Sequence, residues 1–205
     1  PYTLQRHEVN EYPLSREDAI QKVAASLRDN DVIVATTGMI SRELFEYRAA
    51  RGQGHERDFL TVGSMGHASQ IALGIALEKT GGRVWCFDGD GAALMHLGSM
   101  AIIAGKAPAN LVHVVFNNGA HDSVGGQPTV GLKVSLTGIA KAAGYKEAVC
   151  VTTSEELDSA LAALKDMRGP VLLEVRVHRG NRKDLGRPTT TPVQNRDAFM
   201  EFLDK

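Results

Sequence analysis

The sequence predicts an α/β fold, a doubly wound parallel sheet of about six strands with helices on both faces. Three observations lead there. Short, near-continuous apolar runs rich in β-branched residues recur along the chain, as strands buried on both faces require. Between them lie longer stretches with helical apolar spacing. Several apolar runs then end in glycine-bearing polar loops (TTG, GSMG, DGDG and NNGAHD), and ligands of such sheets bind beyond the carboxyl ends of the strands.

The opening residues 1–14, PYTLQRHEVNEYPL, are polar and hold two prolines. They read as a linker from a missing upstream domain, and the chain starts without Met. Residues 15–205 read as a single domain. Ser15 and Asp18 form a capping-box pattern before a helix with Ala19, Ile20, Val23 and Leu27 on one face. DVIVATTG (31–38) is a buried strand with its loop, and SRELFEYRAA (41–50) a second helix. DFLTVGSMG (58–66) is a brief strand into a glycine-rich turn, and HASQIALGIALEK (67–79) an apolar helix. RVWCFDG (83–89) is a strand, 92–105 a helix, LVHVVFNN (111–118) a strand and LKVSLTGIAKAAG (132–144) a helix. Ser154 opens a helix with Leu157, Leu161 and Leu164 aligned. GPVLLEVRVH (169–178) is a further strand, and a terminal helix spans about 195–204.

Bulk properties exclude several classes. At 205 residues the chain suits one core rather than two, and a net charge of −1 argues against a general nucleic-acid binder. No apolar run approaches the ~20 residues a bilayer span needs. Two cysteines, Cys86 and Cys150, make no disulfide framework and sit in apolar runs. They read as core residues in a reducing cytoplasm.

The chemistry concentrates in FDGDG (87–91). Gly89 and Gly91 let the backbone approach a ligand closely, and a helix starting near Ala92 leaves backbone amides free for an anion. A carboxylate, Asp90, beside an anion site implies a cation between them, and magnesium with a phosphate-bearing ligand fits. Alone, the motif is also an ordinary turn. One helix and one strand later, Asn118 offers a neutral hard oxygen at a matching strand end, and Gly119-Ala120 can turn a carbonyl to the same ion.

GDG, then a helix, a strand and NN, resembles the diphosphate-binding half of thiamine diphosphate enzymes. The resemblance implies thiamine diphosphate and Mg²⁺ as cofactors, with Asp90, Asn118 and the Ala120 carbonyl as metal ligands and Asn117 as structural. It implies cofactor contacts from Gly63, Ser64 and Met65 of GSMG, with Met65 propping the cofactor bent, from Thr37 and Gly38 of TTG, and from Gly89, Gly91 and Ala92. Where some relatives carry a hydroxyl residue after GDG this chain has Ala92, so backbone amides must serve there. TTGMISRELFE, DFLTVGSMGHAS, FNNGAHDSVGGQPTVG and RKDLGRPTTTP resemble the carboxyl-terminal half of phosphonopyruvate decarboxylases, and sulfopyruvate decarboxylase β subunits are near relatives.

What the resemblance implies is decarboxylation of a 2-keto acid, 3-phosphonopyruvate, to phosphonoacetaldehyde and carbon dioxide in phosphonate biosynthesis. The activating glutamate would come from a pyrimidine-binding domain or subunit, so an oligomer and little turnover by this chain alone are expected. His121 and Asp122 are the catalytic candidates. Arg182, Lys183 and Arg187 are candidates for gripping the substrate phosphonate. His67 stands either by the cofactor or as a backbone-bonded helix start, and His96 and His113 read as structural. No membrane or nucleic-acid partner is expected. Rival readings are the sulfonate enzyme, another thiamine-dependent decarboxylase or carboligase, and a non-catalytic cofactor-binding module. A nicotinamide-dinucleotide site is the rival that fits least, because DVIVATTGMISRE lacks the G-x-G-x-x-G turn.

Overall fold

In the computed structural model, residues 11–79 and 81–204 are described. Elements follow in the order α1 (Arg16–Ala25), β1 (Val32–Ala35), α2 (Met39–Ala50), β2 (Asp58–Leu60), α3 (Ala68–Glu78), β3 (Val84–Gly89), α4 (Asp90–Met95) and α5 (Ser99–Lys106). Then come β4 (Leu111–Asn117), β5 (Ala120–His121), β6 (Gln127–Pro128), α6 (Leu136–Ala143), β7 (Glu147–Val151), α7 (Ser154–Leu164), β8 (Val171–Arg176) and α8 (Pro192–Leu203). Six strands form one sheet in the order β2-β1-β3-β4-β8-β7, all pairs parallel. β5 and β6 make a small antiparallel pair beside it.

Both faces are covered, as the doubly wound class requires. Ile20, Leu44, Phe87, Phe116 and Leu157 join α1, α2 and α7 to one face. Leu73, Met100, Ile103, Leu136, Leu172 and Phe199 join α3, α5, α6 and α8 to the other. A fully buried side chain of this size contributes about 1.5–3 kcal/mol, and Phe87 and Phe116 add an edge-to-face contact at 5.4 Å. The chain leaves β1 towards β2 and returns past β1 to β3. The strand order therefore reverses between β1 and β3, which puts the TTG and DGDG loops at the crevice of the sheet.

Helix starts follow local chemistry. Ser15 Oγ accepts from the Asp18 amide at 2.9 Å. Capping boxes at Thr153/Glu156 and Thr191/Gln194 open α7 and α8, the latter with Pro192 in its first turn.

Several sequence expectations need correction. The helix expected over 92–105 is two: α4 begins at Asp90 itself, and the chain turns at His96 before restarting with Gly98 as cap. The helix expected over 132–144 is ordered as α6 only from Leu136, because Ser135 caps it through the Gly138 amide. β7, unread in the sequence, is an edge strand. Cys150 lies on it and is exposed, whereas Cys86 is buried. Burial pushes the Cys86 thiol well above the usual cysteine range; the Cys150 thiol, on a solvent-facing residue, is pushed up to about 11 by partial desolvation and the nearby Glu174 carboxylate. Of the proposed linker, residues 1–10 lie outside the described residues. Residues 11–14 pack on the domain: the Leu14 carbonyl accepts from His178 N–H at 3.0 Å, and Tyr12 Oη accepts from Arg176 at 3.2 Å. Among the described residues, no helix is long and apolar enough to cross a membrane.

Candidate active site

β3 delivers Asp90 to the crevice and α4 starts on it, so the carboxylate sits at a strand end, 1% exposed. The Thr129 hydroxyl and the Asn118 amide donate to it. Burial nevertheless holds the carboxyl above its usual range. It makes no ion pair with any described Lys or Arg, so a buried carboxylate lies here without a cation to offset its desolvation.

Asn118 follows β4. Its Oδ1 accepts from the Ala120 amide at 3.0 Å, which turns the chain tightly through Gly119 at φ 68°. Its Nδ2 donates to Asp122 Oδ2 at 2.6 Å. Asn117 serves the scaffold: its Nδ2 donates to the Gly131 carbonyl at 2.9 Å and to the fully buried Glu174 at 2.8 Å. Two glycines let the loops close. A Cβ at Gly131 would stand 2.6 Å from Asp90 Oδ2 and 2.8 Å from Asn117 Oδ1, and a Cβ at Gly91 would overlap the His121 ring.

Asp122 is a junction. Its Oδ2 takes Arg16 Nη1 at 3.1 Å and the Gly180 amide at 3.0 Å in addition to Asn118. Arg16 in turn grips Glu43 with Nε and Nη2, both at 2.8 Å. Burial pushes the Glu43 carboxyl up, and the Arg16 fork draws it back only in part. With three donors on one oxygen, Asp122 orients the loop that carries Asn118 rather than presenting a free base.

The sequence candidates converge on this crevice. Thr37, Met65, Gly89, Asp90, Gly91, Ala92, Asn118, Ala120, His121 and Asp122 line one small cleft. Gly38 lines a larger one of ≈ 410 Å³, which shares Thr37, Met65 and Ser123 with the first. Gly63 stands behind them, its amide 3.3 Å from Thr37 Oγ1. Ser64 is held at φ 46°, a left-handed conformation that ordinary residues seldom adopt, and its carbonyl faces His67 Nδ1 at 3.1 Å. His67 is thus bonded to the backbone at the start of α3, and its exposed ring lies 4.2 Å from that of His96. His113 is buried between Asp88 and Tyr145, each at 3.3 Å.

The basic loop divides. Arg182 is bound to Glu17, Glu46 and Asp184, so its charge is spent on holding the loop. Lys183 is exposed, and neither residue lines a cleft of the crevice. Arg187 lines the larger one.

Four contributors were missed from the sequence. Arg16 and Thr129 reach the site from distant segments, and Arg42 lines the larger cleft from α2. Thr36 is 3% exposed, lines the small cleft, and has a buried Oγ1 without a hydrogen-bond partner among the described residues. An orphaned hydroxyl costs stability unless something fills its need. The oxygen-rich set of Asp90, Asn118 and the Ala120 carbonyl suits a hard divalent cation, and the orphaned Thr36 hydroxyl suits a ligand oxygen. The residues present therefore fit magnesium and a diphosphate.

An open parallel sheet whose crevice holds a buried carboxylate, an amide and glycine-closed loops defines a cofactor-binding α/β domain. Residues 36–175 match the family described as thiamine pyrophosphate enzyme, C-terminal TPP binding domain, and the chain belongs to that family. Among curated proteins it is 39% identical to a phosphonopyruvate decarboxylase of Streptomyces viridochromogenes, over 92% of this chain and 46% of that protein. It is 34% identical to a sulfopyruvate decarboxylase subunit beta of Methanothermobacter thermautotrophicus, over 82% of this chain and 84% of that subunit. The chain thus spans about half the length of the phosphonopyruvate decarboxylases it matches and most of the length of the β subunit. Among solved structures, a thiamine diphosphate-dependent 4-hydroxybenzoylformate decarboxylase of Rhodococcus jostii RHA1 superposes with TM-score 0.70 at 17% identity, covering 89% of this chain and 36% of that one. That likeness establishes the shared fold.

Proposed function

We propose that this chain is the diphosphate- and magnesium-binding half of a cytoplasmic, oligomeric decarboxylase that converts 3-phosphonopyruvate to phosphonoacetaldehyde and carbon dioxide. The observation that carries the reading is the crevice itself: a buried Asp90 without a cationic partner beside an unpartnered Thr36 hydroxyl. The 39% identity to phosphonopyruvate decarboxylases supports the choice of substrate. Bound thiamine diphosphate would supply the electron sink that lets a 2-keto acid lose carbon dioxide. Asp90, Asn118 and the Ala120 carbonyl would hold magnesium against the diphosphate. Thr36, Thr37 and the amides of Gly91 and Ala92 would hold diphosphate oxygens, with Gly38, Gly63, Ser64 and Gly89 shaping the walls and Met65 acting as a wedge between the two clefts. His121 is the proposed proton donor near the reacting carbon, with Asp122 fixing its loop. The activating glutamate belongs to a separate pyrimidine-binding domain or subunit, and residues 1–14 are proposed to lead from it.

The sulfonate substrate is the second reading, favoured by the 84% of a sulfopyruvate decarboxylase β subunit that the match spans. Assay of the full-length gene product with thiamine diphosphate and magnesium against 3-phosphonopyruvate, 3-sulfopyruvate and pyruvate decides between them. Aldehyde release from phosphonopyruvate with the highest kcat/KM supports the proposal. A preference for sulfopyruvate supports the second reading, and no turnover of any 2-keto acid overturns both.

A further inference from the structure

The larger cleft holds a chemistry that the cofactor does not use. Its walls include Arg42 from α2 and Arg187 from the 179–191 loop, and no acidic side chain lines it. Neither guanidinium makes a hydrogen bond or ion pair with another described residue, whereas those of Arg16, Arg48, Arg176 and Arg182 are all paired. Of the other polar wall groups, Ser41, Thr61 and Asn195 are committed to the backbone, while Thr37 and Ser123 are shared with the smaller cleft. Ser41 Oγ donates to the Thr36 carbonyl at 2.7 Å, Thr61 Oγ1 to the Ala35 carbonyl at 2.9 Å, and Asn195 is bonded to the backbone of Asp58 and Leu60. Thr190 Oγ1 also lines this cleft, is buried and has no partner among the described residues.

The loop bearing Arg187 is pinned over α2. Glu46 accepts from the Gly186 amide at 2.6 Å and pairs with Arg182. Glu46 stands one helical turn beyond Arg42, so the contact brings the residue next to Arg187 onto the helix that bears Arg42. Two donor-only guanidinium groups and a hydroxyl, with apolar Val62, Met65 and Val124 beside them, suit an anion with several oxygens and not a neutral group.

We infer that Arg42, Arg187 and Thr190 form a subsite for the tetrahedral oxyanion at the far end of the substrate, across Met65 from the cation-binding cleft. The inference rests on the proposed decarboxylase reading and extends it. The substrate class is a 2-keto acid carrying a phosphonate or sulfonate on its third carbon. Arg182 then holds the loop, and neither it nor the exposed Lys183 reaches the anion.

Two measurements on the full-length gene product test this. Titration calorimetry with phosphonoacetate, sulfoacetate and acetate needs no turnover. The first two, which carry the terminal anion, should bind more tightly than acetate, and R42A or R187A should weaken them about 10–100-fold, the range for a charged hydrogen bond. T190V should weaken them less. In kinetics, the ratio of kcat/KM for phosphonopyruvate over pyruvate should fall by a similar factor in both arginine variants. Circular dichroism confirms that each variant folds. Phosphonoacetate binding no tighter than acetate in the wild type overturns the subsite, as does an unchanged ratio in R42A and R187A. An equal loss of thiamine diphosphate affinity also overturns it, by assigning the arginines to the cofactor. Arginine-dependent phosphonoacetate binding without keto-acid turnover keeps the subsite and removes the decarboxylase reading. The stronger of phosphonoacetate and sulfoacetate identifies the oxyanion.

Discussion

Replacing Arg16 with Met should damage this domain more than any change on its surface. The guanidinium is 5% exposed and is shared between Glu43, which is 1% exposed, and Asp122. Truncation leaves one fully buried and one nearly buried carboxylate without a cation, and breaking such a pair typically costs ~3–5 kcal/mol. With a urea slope of ~2–3 kcal/mol/M, the unfolding midpoint should fall by roughly 1–2.5 M. The pH dependence has a definite sign. Burial already raises the Glu43 carboxyl in the native state, and losing Arg16 raises it further. A folded-state pKa above the unfolded one means that the penalty is full above the folded pKa and disappears below the unfolded one. The deficit of R16M should therefore be largest near pH 8 and shrink towards pH 5. Pairing the change with E43L should recover most of the loss, because an apolar pair does not carry the stranded charge. The assay is urea unfolding followed by circular dichroism at both pH values. A loss below ~1 kcal/mol, or a deficit that grows as pH falls, would refute the reasoning.

Further changes have equally definite outcomes. D90N should leave the unliganded melting temperature unchanged or higher, since it removes a buried charge that lacks a cation. It should also abolish the stabilisation given by magnesium with thiamine diphosphate, read by differential scanning fluorimetry. G91A should destabilise by ~1–3 kcal/mol through overlap with the His121 ring, and H121A in the same chain should relieve part of that loss in denaturant unfolding. Ala107 caps α5 in a left-handed conformation at φ 49°, so A107G should raise stability by about 0.5–1 kcal/mol, measured as a higher urea midpoint.

Much of the architecture was legible because it is buried. β1, β3, β4 and β8 are nearly all apolar on both faces, so their runs stand out without any alternation. β7 did not stand out, because an edge strand holding Glu147 and an exposed Cys150 lacks that continuity. The break between α4 and α5 was hidden by apolar spacing that continues through Leu97 and Met100. At the site, the residues lying on glycine-flanked strand ends were readable, since their local chemistry departs from what a core needs. Arg16, Arg42 and Thr129 were not. Each sits in a stretch whose own pattern is that of an ordinary helix or loop, and only the return of the chain brings it to the crevice. Arg182 shows the converse: a basic residue in a glycine-rich loop looks like a ligand clamp until its three carboxylate partners are seen.

The junction at Asp122 also bears on when the cation loop takes shape. Its donors come from residues 16, 118 and 180, so the loop's fixing contacts span most of the chain's length. The parallel pairs of β1, β3 and β4 involve nothing beyond residue 117 and can form while the rest is still being synthesised. The orientation of Asn118 must wait for the segment after β8, because loop-closure entropy has to be overcome before that distant contact contributes. A nascent chain ending before residue 180 should hold part of the sheet and still be unable to bind the proposed magnesium ion, which would postpone cofactor capture until the domain is almost complete.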